Sequence, residues 1–237
     1  MENFRRPDNL LTYENAKTSK GEALGVLTGI LYLAPSDLSG VDLCPKASPG
    51  CRAACLFTAG RGAFKSVFDA RMNKTKYFLE ARADFLEQLR GEIHKAKRKA
   101  KRLGLRLAIR LNGTSDIVWE VLARDIMLEH ADVQFYDYTK ILARLRRPLP
   151  ANYDLTFSRS EENDADCVEA LKLGFRVAAV FHDINDAATL FDGHEIIDGD
   201  LHDIRFLDAQ GAIVALKAKG KARRDSSGFV IQGSKAA

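Results

Sequence analysis

Long apolar runs are missing from this chain. Nowhere in its 237 residues does an uninterrupted hydrophobic stretch approach the roughly 20 residues that span a bilayer. The opening Met1-Glu2-Asn3-Phe4-Arg5-Arg6-Pro7-Asp8-Asn9 also lacks the apolar segment of a signal peptide. These absences predict a cytoplasmic protein with no membrane partner. No one sign of charge dominates either. Lys and Arg number 36 against 32 Asp and Glu, a formal net charge of +4, which is too even for the whole molecule to act as a polycation. Cysteine is scarce, with 4 in the chain, and in a reducing compartment that excludes a disulfide framework. Repeats and an obvious interdomain linker are absent too. With 46% hydrophobic and 29% charged residues, the composition is that of a globular protein with a real core, and we expect a single domain over 1–237.

What is present is a cluster. Three of the 4 cysteines fall within Cys44-Pro45-Lys46-Ala47-Ser48-Pro49-Gly50-Cys51-Arg52-Ala53-Ala54-Cys55. Pro45, Pro49 and Gly50 permit sharp turns, and the four-residue step from Cys51 to Cys55 puts both on one face if that segment is helical. Three thiolates can hold a [4Fe–4S] cluster and leave one iron open, whereas structural zinc normally takes four protein ligands. Asp42 is the nearest carboxylate. Cys44, Cys51 and Cys55 are therefore candidate metal ligands; zinc completed from elsewhere and three free thiols are the alternatives. Cys167, on an expected helix, reads as a packed thiol.

The rest of the chain alternates strand and helix. Leu24 to Leu33 reads as a buried strand or hairpin. A long helix from about Ser66 to Arg102 carries apolar residues at three- and four-residue spacing and ends at Gly104. Strands follow at 105–111, 133–138, 153–158 and 175–181, with helices near 119–128, 141–146 and 165–173 between them. Short apolar strands separated by helices imply a parallel sheet. We therefore expect an α/β protein with a partial or open (β/α) barrel over 24–183. Strands at 204–207, 212–218 and 228–231 would then form a small antiparallel C-terminal extension, 198–233, completing or capping that core.

The expected strands end alike, in polar residues. In a parallel α/β fold those ends gather on one edge, where sites are built. Asn112, Thr114, Ser115 and Asp116 offer hydrogen bonds to a cofactor, or a cap for the next helix. Lys140 could meet a carboxylate or phosphate. Arg159 is the preferred anion contact, because its planar fork can grip a carboxylate in two places. His182, beside Asp183, could donate a proton or contact substrate. Lys140, Arg159 and His182 are the candidate catalytic groups, and Arg159 doubles as a cofactor contact. His194 and His202 lie among acids that read better as a surface loop than as a metal site.

Two resemblances bear on these residues. A cysteine loop after a first strand, followed by a partial barrel, resembles the radical S-adenosylmethionine enzymes. More closely, the run Gly25 to Lys76, with Leu31-Tyr32-Leu33-Ala34-Pro35, the cysteine loop, Gly60-Arg61-Gly62 and Lys74-Thr75, resembles a bacteriophage and prophage gene-product family. Leu111-Asn112-Gly113-Thr114-Ser115-Asp116, Phe135-Tyr136-Asp137-Tyr138-Thr139-Lys140, Thr156-Phe157-Ser158-Arg159-Ser160-Glu161 and Asp198-Gly199-Asp200 extend that likeness over most of the chain. The phage family implies no particular reaction. The first resemblance implies that Cys44, Cys51 and Cys55 bind three irons and that S-adenosylmethionine takes the fourth. Asn112, Thr114, Ser115 and Asp116 would then hold its methionyl group or ribose. A reductant protein would supply an electron, and a small-molecule or nucleotide-linked substrate would lie beneath the strand ends. The usual loop of those enzymes has three and then two residues between its cysteines; this one has six and then three.

Two basic stretches complete the inventory, Lys95 to Arg102 and Lys217 to Arg224. Such clusters, with Arg52 and Arg61 by the cysteines, could contact nucleic-acid phosphates, which position without specifying sequence. Two functions therefore stand. One is an iron–sulfur enzyme similar to the radical S-adenosylmethionine group. The other is a non-enzymatic phage accessory protein that binds nucleic acid or a host protein, its loop stiffened by metal.

Overall fold

The computed structural model describes residues 4–13, 20–187, 191 and 193–233. In chain order the elements are β1 (Leu11–Thr12), β2 (Val26–Leu31), α1 (Pro49–Ala53), α2 (Lys65–Glu80), α3 (Arg82–Leu103) and β3 (Arg106–Arg110). Then come α4 (Trp119–Leu122), α5 (Arg124–Glu129), β4 (Gln134–Thr139), α6 (Leu142–Leu145) and β5 (Tyr153–Ser158). The chain finishes with α7 (Asp164–Lys172), β6 (Val177–Phe181), β7 (Ile196–Asp198), β8 (Ile213–Lys217) and β9 (Val230–Ile231). The strands make a mixed α/β sheet that is open, not closed. The chain divides into two compact units: 1–45 with 64–137 and 149–154, and 46–63 with 138–148 and 155–237.

In the first unit β2 and β3 run parallel from Val26↔Arg106 to Ile30↔Arg110, and β3 and β4 pair parallel at Ala108↔Gln134 and Ile109↔Phe135. All six residues of β2 are buried, as expected for a strand covered on both faces. The edge is β1, antiparallel to β2 through Leu11↔Leu31 and Thr12↔Ile30. The single long helix expected over 66–102 is two helices. They meet at Ala81, whose φ of −133° and ψ of 57° leave the helical region. No Gly or Pro marks the break. It lets Phe85 of α3 meet Tyr77 and Phe78 of α2 at 5.4 and 5.3 Å, while Phe78 reaches Trp119 at 5.4 Å. Aromatic pairs at such distances add to the stabilisation from burial. Gly104 ends α3 as expected, in the left-handed region at φ 67°, its N–H turned back on the Ala100 and Lys101 carbonyls.

A buried ionic clamp holds β1. The Glu92 carboxylate accepts from the N–H groups of Leu10, at 2.7 Å, and Leu11, at 2.9 Å, and the Lys74 ammonium donates to the Leu10 carbonyl at 2.7 Å. Burial pushes Lys74 down to about 8, a shift that Glu92 opposes and Arg71 reinforces.

In the second unit β8 lies parallel to β6 from Val177↔Ile213 to Phe181↔Lys217, and β7 lies parallel to β8. The short β9 also pairs parallel with β6, at Val180↔Val230 and Phe181↔Ile231. This corrects the expected antiparallel extension: β7, β8 and β9 all pair parallel, and the antiparallel pairing lies at the N-terminal edge, between β1 and β2. Ile204–Leu207 is not a strand either, since Arg205–Leu207 forms a 3-10 turn. There Arg205, fully buried, pairs with Asp208 at 3.2 Å.

The clamp has a pH signature. The unfolded Lys74 keeps its proton to about 10.5 and the folded one loses it above about 8, so the unfolded state binds more protons in between. Stability should therefore rise between about pH 8 and 10. The half-buried Tyr13 phenol, raised by burial and by Glu92, opposes the trend above its ordinary value. Chemical denaturation across this range should show the rise, and Lys74→Met should flatten it.

Candidate functional site

The cysteine loop is built by capping. Ser48 caps α1, accepting at its Oγ from the Cys51 N–H, and Pro49 follows in the first turn, where its missing N–H costs nothing. The helix stops at Ala53, and Cys55 is extended at φ −56° and ψ 132°. The four-residue step from Cys51 to Cys55 is therefore not helical throughout, and the shared face it predicted does not form. Cys51 packs against an apolar cluster of Ala54, Ala218, Ala222, Phe229 and Val230. Cys44 belongs to the other unit. Its Sγ accepts from the Ser36 N–H at 3.3 Å and donates to the Thr114 carbonyl at 3.7 Å. All four thiols are free of disulfides.

Among the described residues, no group of three or more His, Cys, Asp or Glu side chains is placed to hold a metal ion. This overturns the expected [4Fe–4S] cluster on Cys44, Cys51 and Cys55, the zinc alternative, and S-adenosylmethionine on an open iron. Among the described residues the His194 and His202 region gives no metal site either; Asp192 lies outside them. His194 Nδ1 lies 3.2 Å from the Gly211 carbonyl and His202 Nδ1 accepts from the Ile204 N–H.

The polar end of β3 is engaged internally. Asn112 Oδ1 accepts from Ser115 Oγ at 2.9 Å, the Ile117 N–H at 3.0 Å and Trp119 Nε1 at 3.0 Å. The Asn112 N–H donates to Asp137 at 2.6 Å, and that carboxylate also takes the Tyr153 hydroxyl at 2.8 Å. Thr114 donates to the Leu33 carbonyl at 2.5 Å, and the Asp116 N–H donates to Leu43 at 2.8 Å. Helix α4 follows Val118, which gives it no side-chain cap. Asn112, Thr114, Ser115 and Asp116 thus shape a loop and fix Trp119.

In the second unit Lys140 Nζ donates to Ser158 Oγ at 2.9 Å and lies 5.8 Å from the centre of the Phe229 ring. Arg159 is engaged within its own unit. Its Nε donates to Asp164 at 2.8 Å and its Nη1 to the Gly228 carbonyl at 2.9 Å. His182 is exposed, with its backbone N–H on the Ile231 carbonyl. Asp183 does not tie it down, since its carboxylate accepts from Asn185. Cys167 is buried, and burial, aided by Asp164, pushes its thiol up to about 12.

Packed on the cysteine turn is a strap, Lys217 to Asp225, that the sequence showed only as a basic stretch. Its middle, the 3-10 turn Gly220–Arg224, lies on the turn Leu56–Thr58. Ala222 enters the apolar cluster beneath, and a Cβ on Gly220 would sit 2.8 Å from that of Ala59. At one end Asp200 accepts from Lys219 Nζ at 2.5 Å and from the Lys217 N–H at 3.2 Å. At the other Asp225 accepts from Ser227 Oγ at 2.7 Å and the Val230 N–H at 3.0 Å. Burial raises the Asp225 carboxyl, but these and neighbouring N–H groups outweigh it and hold the group below the usual range. The returning loop presses on α1: a Cβ at Gly50 would fall 2.1 Å from Ser227 Oγ and 2.8 Å from Phe229 Cβ. Glu161 completes the tie, accepting from Ser48 Oγ at 2.7 Å and the Gly50 N–H at 2.6 Å. Asp225-Ser226-Ser227-Gly228 carries turn residues in sequence, and that signal could have located the return loop. The strap leaves Lys217, Lys221, Arg223 and Arg224 exposed.

Two outcomes follow from this geometry. Asn112→Ala, which strips the acceptor from three donors, should destabilise the protein by about 2–4 kcal/mol in chemical denaturation. A thiol reagent at neutral pH should leave Cys167 unlabelled until the protein is unfolded, because the reactive thiolate is suppressed there.

No curated protein and no solved structure matches the chain. Among the described residues no helix is long and apolar enough to cross a membrane. The family model described as Gene product 88 matches residues 9–233, nearly the whole sequence. The chain belongs to the Gene product 88 family of phage gene products.

Proposed function

We propose that this is a phage accessory protein that binds nucleic acid, with the strap as a phosphate-contacting element. The observation that carries the reading is an ordered cationic turn. Lys221, Arg223 and Arg224 point to solvent from a segment tacked down by Ala222, Asp200 and Asp225. None of the three cations has an ion pair or side-chain hydrogen bond among the described residues, whereas Lys219 is tied to Asp200. A turn already held in place loses little conformational freedom when phosphates bind, and preorganisation of that kind raises affinity.

Contacts of this type carry no base readout, which fits a strap with no aromatic side chain between Lys217 and Arg224. They carry a strong salt dependence instead. The internal commitment of Arg159 and Glu161 leaves the cationic surface as the feature of this unit best suited to an external partner.

The test is a titration of a single-stranded oligonucleotide by fluorescence anisotropy at several salt concentrations. Lys221→Gln, Arg223→Gln and Arg224→Gln together should weaken binding at low salt about tenfold or more. They should also flatten the slope of log K against log salt by about 2, at roughly 0.7 per phosphate contact on single strands. Unchanged affinity and slope in the triple variant would remove the strap from the interface.

A further inference from the structure

We infer that the outer face of α3 is a second phosphate-binding surface, fitted to the backbone of a duplex. The inference extends the nucleic-acid reading to the other unit and rests on different residues. Helix α3 buries Phe85, Leu89, Ile93, Ala96 and Ala100, a stripe at helical spacing that sets which side faces out. On the opposite side of its second half stand Lys95, Arg98, Lys101 and Arg102, all exposed. No acidic residue occurs from Ile93 to Leu103.

The flanking cations of the helix have partners and those of its outer face do not. Lys97 pairs with Asp132 at 2.7 Å, and Lys99 lies 5.3 Å from the centre of the Tyr13 ring. Earlier in the helix Arg90 is held by Glu87, Asp125 and Glu129. Lys95, Arg98, Lys101 and Arg102 have no ion pair among the described residues.

A favourable helix dipole accounts for the last turn only. Lys101 and Arg102 fall within it; Lys95 and Arg98 do not. Lys95/Arg98, Arg98/Lys101 and Arg98/Arg102 are three or four residues apart, the spacing at which like charges repel on a helix. A merely solvated face would intersperse acids and relieve that repulsion. A rail of cations is matched by a polyanion from outside.

The rail favours nucleic acid over an anionic membrane. A helix that lies in a bilayer surface needs an apolar face to insert, and the apolar face of α3 is in the core. Along the axis Lys95 and Arg98 are about 4.5 Å apart and Arg98 and Arg102 about 6 Å. Duplex DNA presents a phosphate every 3.4 Å of axis on each strand, or about 1.7 Å with both counted. A straight rigid helix can therefore reach several phosphates of a duplex at once.

The experiment uses the full chain and a short random-sequence DNA duplex, with anisotropy read from low to moderate salt. Lys95→Gln, Arg98→Gln, Lys101→Gln and Arg102→Gln together should weaken duplex binding at least tenfold at low salt. The salt slope should fall by about 3 to 4, at roughly 0.9 per contact. The thermal midpoint should stay close to that of the wild type, because the changed positions are exposed and the repulsion removed offsets the dipole stabilisation lost at Lys101 and Arg102. If the variant binds the duplex with wild-type affinity and slope while the strap variant loses single-strand binding, this inference fails and the strap reading stands. If the wild type binds single strands but no duplex, the same conclusion follows. Loss in the helix variant alone supports the rail and removes the strap. A wild type that binds neither nucleic acid overturns both. Binding to phosphatidylserine vesicles that the helix variant loses, without duplex binding, replaces the duplex with a membrane.

Discussion

A polar group that ends a parallel strand must find a partner, and this requirement organises both units. At the end of β3 the Asn112 carboxamide gathers Ser115, Ile117 and Trp119, and the Asp137 carboxylate links the Asn112 backbone to Tyr153. Asp137 and Trp119 are fully buried or nearly so. In such surroundings a carboxylate or indole N–H left without a partner costs far more than a hydrogen bond contributes. In the other unit Arg159 and Glu161, just beyond β5, play the corresponding part by holding the return loop at Gly228 and the turn at Gly50. Polar groups at the strand ends thus serve as joints of the fold.

Net charge conceals the way charge is arranged. The acids are concentrated where they bind neighbours: Glu92 under β1, Glu87, Asp125 and Glu129 around Arg90, and Asp200 and Asp225 at the ends of the strap. Two groups of exposed cations, on α3 and on the strap, have no such partner among the described residues. A formal +4 is therefore compatible with local fields much stronger than the average, and those fields act at short range in physiological salt.

Much of the architecture was legible in the sequence because periodicity reports burial. Strand β5 lies where its alternation placed it, and β3, β4, β6 and β8 fall within a residue or two of their expected ends. The errors arose where tertiary contacts decide. Ala81 breaks a helix that local propensity would continue, because three aromatic rings converge on either side of it. The direction of β8 and β9 depends on pairing with β6, and no local pattern encodes that. At the site, the clustering of Cys44, Cys51 and Cys55 in sequence was plain but misled. Proximity along a chain doesn't fix where side chains point, and Pro49 and Ser48 start a helix that ends before Cys55. The basic segments were visible as composition. Their separation into neutralised and exposed cations was not, since Lys97 and Asp132 are 35 residues apart.

The clamp on β1 also bears on self-association. A sheet edge that shows a row of free N–H and carbonyl groups is a template for strands from other molecules. Here the outermost strand of the first unit is only two residues long, and Glu92 already takes the donors of Leu10 and Leu11 while Lys74 takes the Leu10 carbonyl. Little is left for a second copy to pair with. The two charged side chains that anchor this strand thus blunt the edge against intermolecular sheet growth, a form of protection that the fold obtains without closing its sheet.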